Sequence, residues 1–317
     1  MIGRRQVLTA LTTALLGVPR HVWAQRVPRV VLYGTAPAWQ EIVSSALRDL
    51  GWVDGSIVVE WRNPGPGAEL EKDLRDTVGR YVDVFIMGGP DRIRAAMKAT
   101  RKIPIVGIDL ESDPVATGFV HSLARPGGNV SGVWMDLPEL TGKQLQYLRE
   151  TVPKLSRIGV IWDERVGKAP YAEAETVARA LNISLHPVPL HSSGEADDVM
   201  KRLLVERPQA ILLITAPVVF SSLSRVAELA RQNRLPSICP FSTYPASGGL
   251  LAYGPDFPTM WRQTASYVNR ILKGAKVGDL PVERPSKFVL IINLKTAKAL
   301  GLTIPPSLLL RADQVIE

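Results

Sequence analysis

Residues 280–317 read LPVERPSKFVLIINLKTAKALGLTIPPSLLLRADQVIE. Residues 287–293 form an apolar run with β-branched side chains, which predicts a buried strand. Residues 294–300 follow with leucine, alanine and lysine, which favour a short helix, and Pro305 and Pro306 prevent a helix from continuing past them. The tail therefore predicts a strand followed directly by a helix, an arrangement typical of α/β folds.

The same alternation of strands and helices runs through the chain from residue 29 onward. Short apolar runs predict strands at residues 30–33, 57–61, 82–87, 103–108, 157–162, 184–189, 210–214 and 236–240. Amphipathic segments between them predict helices, for example at residues 39–50 and 220–233. The pattern restarts near residue 140. The sequence therefore predicts an α/β protein with two doubly wound, Rossmann-like lobes.

The length of the chain also favours two lobes, because single cores tend to split beyond roughly 250–300 residues. We expect residues 25–133 with about 252–282 to form lobe one, and residues 134–251 with about 283–317 to form lobe two. Residues 281–285 contain two prolines and lack apolar periodicity. This composition suits the last of three extended hinge strands, although a surface loop of one lobe is the alternative.

The N-terminal residues 1–24 have the pattern of an export signal. The pair Arg4-Arg5 forms a basic start, residues 7–18 are mostly apolar, and Val22-Trp23-Ala24 resembles a cleavage site before Gln25. About 20 apolar residues are needed to cross a bilayer, so we expect cleavage and export to the periplasm instead of a membrane span. The two arginines fit either a Sec or a twin-arginine signal, and both routes stay open.

Composition argues against several classes of partner and cofactor. The formal charge is +8 and falls to +5 without residues 1–24, because that segment holds three arginines and no acid. Lysine and arginine are dispersed and no nucleic-acid-binding module is recognisable, so nucleic acid is not an expected partner. The single cysteine, Cys239, rules out an intrachain disulfide and a cysteine-rich metal site. We expect no metal and no cofactor.

Enzyme motifs are absent from the sequence. No Gly-x-Gly-x-x-Gly follows the first predicted strand, and neither a Walker loop nor a Gly-x-Ser-x-Gly elbow occurs. We therefore expect a protein without catalytic activity. An exported α/β enzyme is the weaker alternative, because members of a Ser-His-Asp triad need only be neighbours in space.

Candidate binding residues in lobe one follow from sheet geometry. Ligands of doubly wound sheets bind beyond the carboxyl ends of the strands. This rule selects residues after the first, third and fourth strands: Thr35, Ala36, Trp39, Gly88, Gly89, Pro90 and Asp109. The two glycines bare backbone amides at a helix start, which suits a carboxylate. Of the acids Asp109, Glu111 and Asp113, we expect Asp109 to face the cleft and Asp113 to cap a turn.

Lobe two offers residues at the equivalent positions. Asp163 follows the strand at 157–162, Thr215 follows the strand at 210–214, and Phe241 and Tyr244 follow the strand at 236–240. The aromatic rings could stack on a planar or apolar ligand, while ordinary packing at the rim is the alternative for each. We expect Asp109 and Asp163 to contribute one charge to the cleft from each lobe.

Three segments of the chain resemble one protein family. These are the tail at residues 280–317, the loop at residues 113–132 with its Pro126-Gly127-Gly128-Asn129, and residues 248–255. They are similar to the solute-binding proteins of ABC transporters, in particular the branch whose better-known members bind tryptophan and related amino acids. The resemblance spans nearly the whole chain after residue 24.

The resemblance implies a periplasmic binding protein type I-like fold and a monomer that captures a small molecule in an interlobe cleft. It also implies an ABC permease as partner, with a membrane receptor as the alternative. Ligand identity does not carry over, because the acids around Asp109 and the Pro240-Phe241 pair differ from the tryptophan-binding members.

Overall fold

The computed structural model describes residues 26–34, 37–135, 137–166 and 168–317. Residues 1–25, with the expected export signal and its cleavage site, lie outside the described residues. Within the described part, the strands form one five-stranded and one seven-stranded sheet, each flanked by helices. We call the five-stranded sheet with its helices lobe one and the seven-stranded sheet with its helices lobe two.

Lobe one is a parallel sheet in the order β2-β1-β3-β4-β5. Its first elements are β1 (Arg29–Tyr33), α1 (Ala38–Asp49), β2 (Val58–Arg62), α2 (Ala68–Val78), β3 (Val84–Gly88), α3 (Pro90–Ala99), β4 (Ile105–Asp109) and β5 (Val130–Trp134). Successive side chains of β1 enter opposite cores: Val30 and Leu32 pack on one face, Val31 and Tyr33 on the other. Both faces are therefore covered, as expected for a doubly wound sheet.

Lobe two begins with a second series of helices and parallel strands. These are α4 (Leu137–Thr151), β6 (Arg157–Trp162), α5 (Ala169–Ala180), β7 (Ser184–Pro189), α6 (Ala196–Val205), β8 (Ala210–Leu213), α7 (Pro217–Ser221), α8 (Leu223–Gln232), β9 (Ser237–Cys239) and β10 (Leu251–Pro255). The single helix expected at 220–233 is instead two. The Ser222 hydroxyl donates to the Val218 carbonyl where α7 ends, a side-chain bond that competes with the helical ladder.

The rest of the chain first returns to lobe one and then completes lobe two. Its elements are α9 (Phe257–Leu272), β11 (Phe288–Asn293), α10 (Leu294–Ala299), α11 (Pro306–Leu309) and β12 (Gln314–Ile316). Helix α9 packs on α1 of lobe one. The sheet of lobe two runs β12-β11-β10-β9-β8-β6-β7, with β10 and β11 antiparallel. The strand and helix predicted from the tail are thus confirmed as β11 and α10.

The chain passes between the lobes three times within the described residues: after β5, after β10, and before β11. We expected the second crossing near residue 252. Strand β10 instead pairs with β11 as far as Pro255, which lies opposite Phe288, so the chain crosses after Pro255. Before the third crossing Glu283 forms a bridge with Val133 of β5, within the segment 281–285 proposed as a hinge strand.

Candidate functional site

The loops at the carboxyl ends of the strands meet in a cavity between the two lobes. Its volume is about 80 Å³. It is lined by Gly34, Trp39, Gly88, Gly89, Arg92, Ile108, Leu110, Glu111, Thr215, Ala216, Pro217, Phe220, Phe241, Phe257, Met260 and Trp261. We call this space the aromatic cavity. Clefts at this position in α/β folds commonly bind small molecules.

Five aromatic rings connect the lobes across this cavity. Trp39 of α1 stacks on Trp261 of α9, with ring centroids 5.4 Å apart and planes 11° apart. Trp39 also stacks on Phe257, at 6.1 Å. Phe257 lies 5.5 Å from Phe241 of lobe two, which in turn meets Phe220 edge-on at 5.1 Å. The cavity therefore has a mostly apolar wall to which both lobes contribute rings.

Helix α9 supplies three lining residues that sequence reasoning missed. Asp256 caps the helix by accepting a hydrogen bond from the Thr259 amide at 2.9 Å. Helical spacing then places Phe257, Met260 and Trp261 on one face, toward the cavity. This spacing is visible in the sequence. We did not connect it with the cleft, because the face points toward the cleft only once α9 has returned to lobe one.

Gly88 at the end of β3 and Gly89 after it line the aromatic cavity. A Cβ on Gly88 would lie 3.3 Å from the Tyr33 carbonyl oxygen and 3.6 Å from Trp261, so a side chain there would crowd this wall of the cavity. Gly89 has φ +88°, which favours glycine, and α3 begins at Pro90. Pro90 lines the neighbouring space described below. The expected residues Thr35 and Ala36 lie outside the described residues.

Arg92 on the first turn of α3 is a cationic residue at the cavity that we did not predict. Its Nη1 donates to the Gly88 carbonyl at 3.1 Å, and its Nη2 donates to Asn63 Oδ1 at 2.9 Å. Burial lowers the pKa of Arg92 from its usual value, while Glu111 and Asp91 oppose this shift. The two hydrogen bonds fix the position of the guanidinium.

Glu111, two residues beyond β4, is the acid that lines the cavity. Its side chain is buried, and its Oε2 atom has no hydrogen-bond partner among the described residues. A Cβ placed on Gly89 would lie 3.9 Å from that oxygen, which locates the carboxyl group beside the start of α3. Burial raises the pKa of Glu111 well above its usual value, and Asp109 raises it further.

Asp109 turns back into its own loop, against our expectation that it faces the cleft. Its Oδ1 accepts the Glu111 amide at 2.8 Å, and its Oδ2 accepts the Ser112 hydroxyl. Burial raises the pKa of Asp109 to about 6, while the Ser112 hydrogen bond opposes that shift. Asp109 therefore shapes the turn that presents Glu111. Asp113 caps the next turn as expected, by accepting the Val115 amide at 2.7 Å.

Asp163 borders a second space in the cleft, which we call the polar cavity. Its volume is about 340 Å³, and it is lined by Pro64, Pro66, Leu70, Gly88, Gly89, Pro90, Asp91, Arg92, Glu111, Asp163, Arg165, Pro217 and Val218. Arg165 holds Asp163 through two side-chain hydrogen bonds of 2.8 Å and also donates to the His191 carbonyl. Glu111 and Arg92 line both cavities, so the two spaces meet at these residues.

Of the remaining lobe-two candidates, Thr215 and Phe241 line the aromatic cavity. Tyr244 does not. It is fully buried in the core of lobe two, where its hydroxyl donates to Ser237 Oγ at 2.7 Å. A Cβ on Gly249 would lie 2.2 Å from the Tyr244 ring, so the turn after Phe241 folds tightly over this side chain. That turn directs Tyr244 inward and leaves Phe241 at the cleft.

We expect Tyr244→Phe to lower stability without changing ligand affinity. The substitution keeps the ring but removes the hydroxyl that bonds Ser237, which should cost about 1 kcal/mol. Denaturant unfolding and calorimetry with any bound solute would measure the two effects separately. A loss of affinity in a variant that is fully folded would instead place Tyr244 in the binding site.

Among the described residues, no group of three or more histidine, cysteine, aspartate or glutamate side chains could hold a metal ion. That part of the chain also contains no helix both long and apolar enough to cross a membrane.

Comparison with known families identifies the class of protein. Residues 36–316 match the family described as ABC transporter substrate binding protein. The chain therefore belongs to the family of ABC transporter substrate-binding proteins. Members of this family bind solutes without transforming them, which confirms the expectation that the chain is not an enzyme.

Individual relatives agree with this assignment. The chain is 29% identical over 261 residues to a tyrosine-binding protein of Clostridioides difficile (strain R20291), covering 81% of this chain and 74% of the relative. A solved domain from Streptococcus pneumoniae in complex with L-Trp superimposes with a TM-score of 0.84 at 23% identity. A conserved domain protein from Vibrio cholerae does so with 0.84 at 25%. Both comparisons cover 92% of this chain and 100% of the other. They confirm the predicted two-lobed, periplasmic binding protein type I-like fold.

Proposed function

We propose that the protein is the exported solute-binding component of an ABC importer, and that it captures a small molecule with a planar apolar part between its lobes. The observation that carries this proposal is the aromatic cavity, which is lined by Trp39 and Trp261 of lobe one and by Phe241 of lobe two. A planar ring inserted there would gain apolar burial and ring contacts from both sides.

Capture requires relative motion of the lobes. A cavity walled by both lobes admits a ligand only when the lobes separate, and its full set of contacts exists only when they approach. Ligand binding therefore shifts the population toward the closed state by the difference in binding free energy between the two states. We propose that the two lobes defined above move relative to each other and that the three crossings form the hinge.

The third crossing has the connections expected of a hinge. Glu283 exchanges backbone hydrogen bonds with β5: its amide donates to the Gly132 carbonyl, and the Trp134 amide donates to its carbonyl, both at 2.9 Å. The Glu283 carboxylate accepts hydrogen bonds from Gln263 and Arg270 of α9. The crossing is thus anchored at its lobe-one end, so rotation concentrates in the few residues between Glu283 and β11.

The solute class is suggested by the cavity and supported by a relative. Aromatic rings line the aromatic cavity, and the polar cavity beside it is bordered by the charged residues Glu111, Asp163, Arg92 and Arg165. This division suits an amphipathic molecule the size of an aromatic amino acid. The curated relative from Clostridioides difficile is a tyrosine-binding protein. We therefore place aromatic amino acids first among the candidate solutes.

Export and partners complete the proposal. Residues 1–24 would direct the chain to the periplasm by the Sec or the twin-arginine route, where the mature protein acts as a monomer and passes its solute to a permease. A membrane receptor that reads the closed form is the alternative partner, because it would use the same cleft and the same closure. Genes for a permease and an ATPase beside the gene for this chain would favour the importer.

The direct test is a ligand screen on the mature protein by thermal shift. A solute at about 100 times its dissociation constant should add about 2.7 kcal/mol of stability. The screen should contain aromatic amino acids, aliphatic amino acids and sugars, and hits should be confirmed by calorimetry. Binding of sugars alone would contradict an aromatic solute, because the rings would then serve a different ligand class.

Closure itself should be visible in solution. We expect the radius of gyration measured by small-angle scattering to fall when the confirmed solute is saturating, because the lobes spend less time apart. Trp39→Ala, measured at a solute concentration that saturates the wild type but not the variant, serves as a control with the same chain length. A profile unchanged by solute, from a protein shown to be open without it, would refute closure.

A further inference from the structure

Glu111 is a buried acid with one carboxyl oxygen that receives no hydrogen bond from the described residues. Its side chain is 7% exposed, and its Oε2 atom is buried without a hydrogen-bond partner in the described part of the chain. The residue borders both the aromatic and the polar cavity. A buried carboxylate without a partner is costly, so its position at the junction of two cavities calls for a donor that comes from outside the chain.

The charged groups around Glu111 are committed elsewhere or are acidic. The carboxylate of Asp109 lies in the same loop, and Asp91 and Arg92 face it from α3. The hydrogen bonds of Arg92 go to Gly88 and Asn63.

The loop after β6 contributes Asp163 and Arg165 on the opposite side of the polar cavity. Arg165 is engaged by Asp163 and by the His191 carbonyl. The unused oxygen of Glu111 therefore lies where three acids add to a negative potential and Arg92 opposes it.

We infer that Glu111 binds a positively charged nitrogen of the solute, so that the protein selects aromatic ammonium compounds. The inference rests on the proposed function and makes it more specific. A ring in the aromatic cavity places the polar end of the same molecule at the junction, where an ammonium group can donate to Glu111 Oε2. Such charge-assisted hydrogen bonds are about twice as strong as neutral ones. A neutral or anionic solute offers no opposite charge to the charged form of Glu111, so it does not stabilise that form.

Proton linkage follows from the same geometry. Burial first, then Asp109, Asp91 and Asp163, raise the pKa of Glu111, whereas Arg92 lowers it. The carboxyl group of the free protein is therefore protonated up to an unusually high pH, and an ammonium ligand draws it back to the charged form. Affinity should rise as the pH rises through the pKa of Glu111 in the free protein, and binding in that range should release a proton.

The experiment uses calorimetry on the mature protein with three probes that share one ring. L-Tyrosine carries an ammonium and a carboxylate, tyramine carries the ammonium alone, and 3-(4-hydroxyphenyl)propionate carries the carboxylate alone. We expect at least one of the two ammonium probes to bind, and the propionate to bind at least about 10-fold more weakly. Tyrosine and tyramine together show whether the solute is an amino acid or a simple amine.

Two variants then assign the effect to one residue. Glu111→Gln keeps size and removes the charge, and it should weaken the ammonium probes by about 10- to 100-fold while leaving the propionate unchanged or improved. It should also abolish proton release, measured from binding enthalpies in two buffers of different ionisation enthalpy. The matched control is Glu71→Gln on α2, an exposed acid outside both cavities, which should change neither quantity.

The outcomes separate this inference from the proposed function. If the ammonium probes bind and Glu111→Gln binds them as the wild type does, the role of Glu111 is overturned and the aromatic solute stands. If the propionate binds as tightly as tyrosine, the selection of ammonium compounds is overturned. If the solute that binds is aromatic but carries no ammonium group, the inference fails alone. If no aromatic solute binds at all, both the inference and the proposed solute class fail. The melting temperature of each variant confirms that it is folded.

Discussion

Trp261→Ala should abolish most solute binding and strongly destabilise the protein. The Trp261 side chain is only 4% exposed, lines the aromatic cavity, and stacks on Trp39 at 5.4 Å. Removing a buried tryptophan side chain costs about 3–5 kcal/mol of folding free energy. An aromatic solute would lose both a ring contact and the fixed position of Trp39, which should weaken binding by about 100-fold.

A matched control separates binding from stability. Trp52 is half-buried, packs at the edge of the same lobe-one core, and donates its indole N–H to Asn269 at 3.1 Å, away from both cavities. Trp52→Ala should therefore lower stability and leave affinity near that of the wild type. Affinities should be measured by calorimetry well below both melting temperatures. Equal losses of affinity in the two variants would show that Trp261 acts only through the fold.

Gly132→Ala should have the largest effect on stability among the glycine substitutions in lobe one. Gly132 has φ +143°, and a Cβ there would lie 2.1 Å from the Gly107 carbonyl oxygen on the paired strand β4. No rotamer relieves a contact with backbone, so β4 and β5 would have to separate. Strain and overpacking together should cost about 3 kcal/mol or more, measured by denaturant unfolding.

Gly142→Ala on α4 is the comparison for this substitution. A Cβ at Gly142 would meet no atom within 4 Å, and alanine favours helix by about 1 kcal/mol over glycine. This variant should therefore be as stable as the wild type or more stable. A mild effect of Gly132→Ala, similar to that of Gly142→Ala, would contradict the close approach of β4 and β5.

The lobes were predictable because their strands are continuous apolar runs. Residues 157–162 and 210–214 correspond closely to β6 and β8, which are buried on both faces and so lack the polar alternation of an exposed sheet. The cleft followed from the rule on strand ends, which correctly located Gly88 and Thr215 at the cavity. The second crossing was misplaced because the antiparallel pairing of β10 depends on β11, which lies more than a helix away in sequence.

The orientation of individual side chains could not be read from the sequence. Asp109 and Glu111 are two acids in one turn, and only the bonds of Asp109 to the Glu111 amide and Ser112 hydroxyl decide which carboxyl group reaches the cavity. Phe241 and Tyr244 stand three residues apart after one strand, yet the turn that follows buries the second. Such choices depend on hydrogen bonds and packing formed only in the folded chain.

The three passages of the chain between the lobes constrain the order in which the protein can mature. Helix α1 ends at Asp49, whereas its packing partner α9 begins at Phe257, so most of the chain must leave the ribosome before lobe one can close its core. Lobe two also waits, since β11 and β12 follow α9 in the chain. Until these segments have been made, apolar surface of both lobes stays exposed, a condition in which chaperones protect a chain from aggregation.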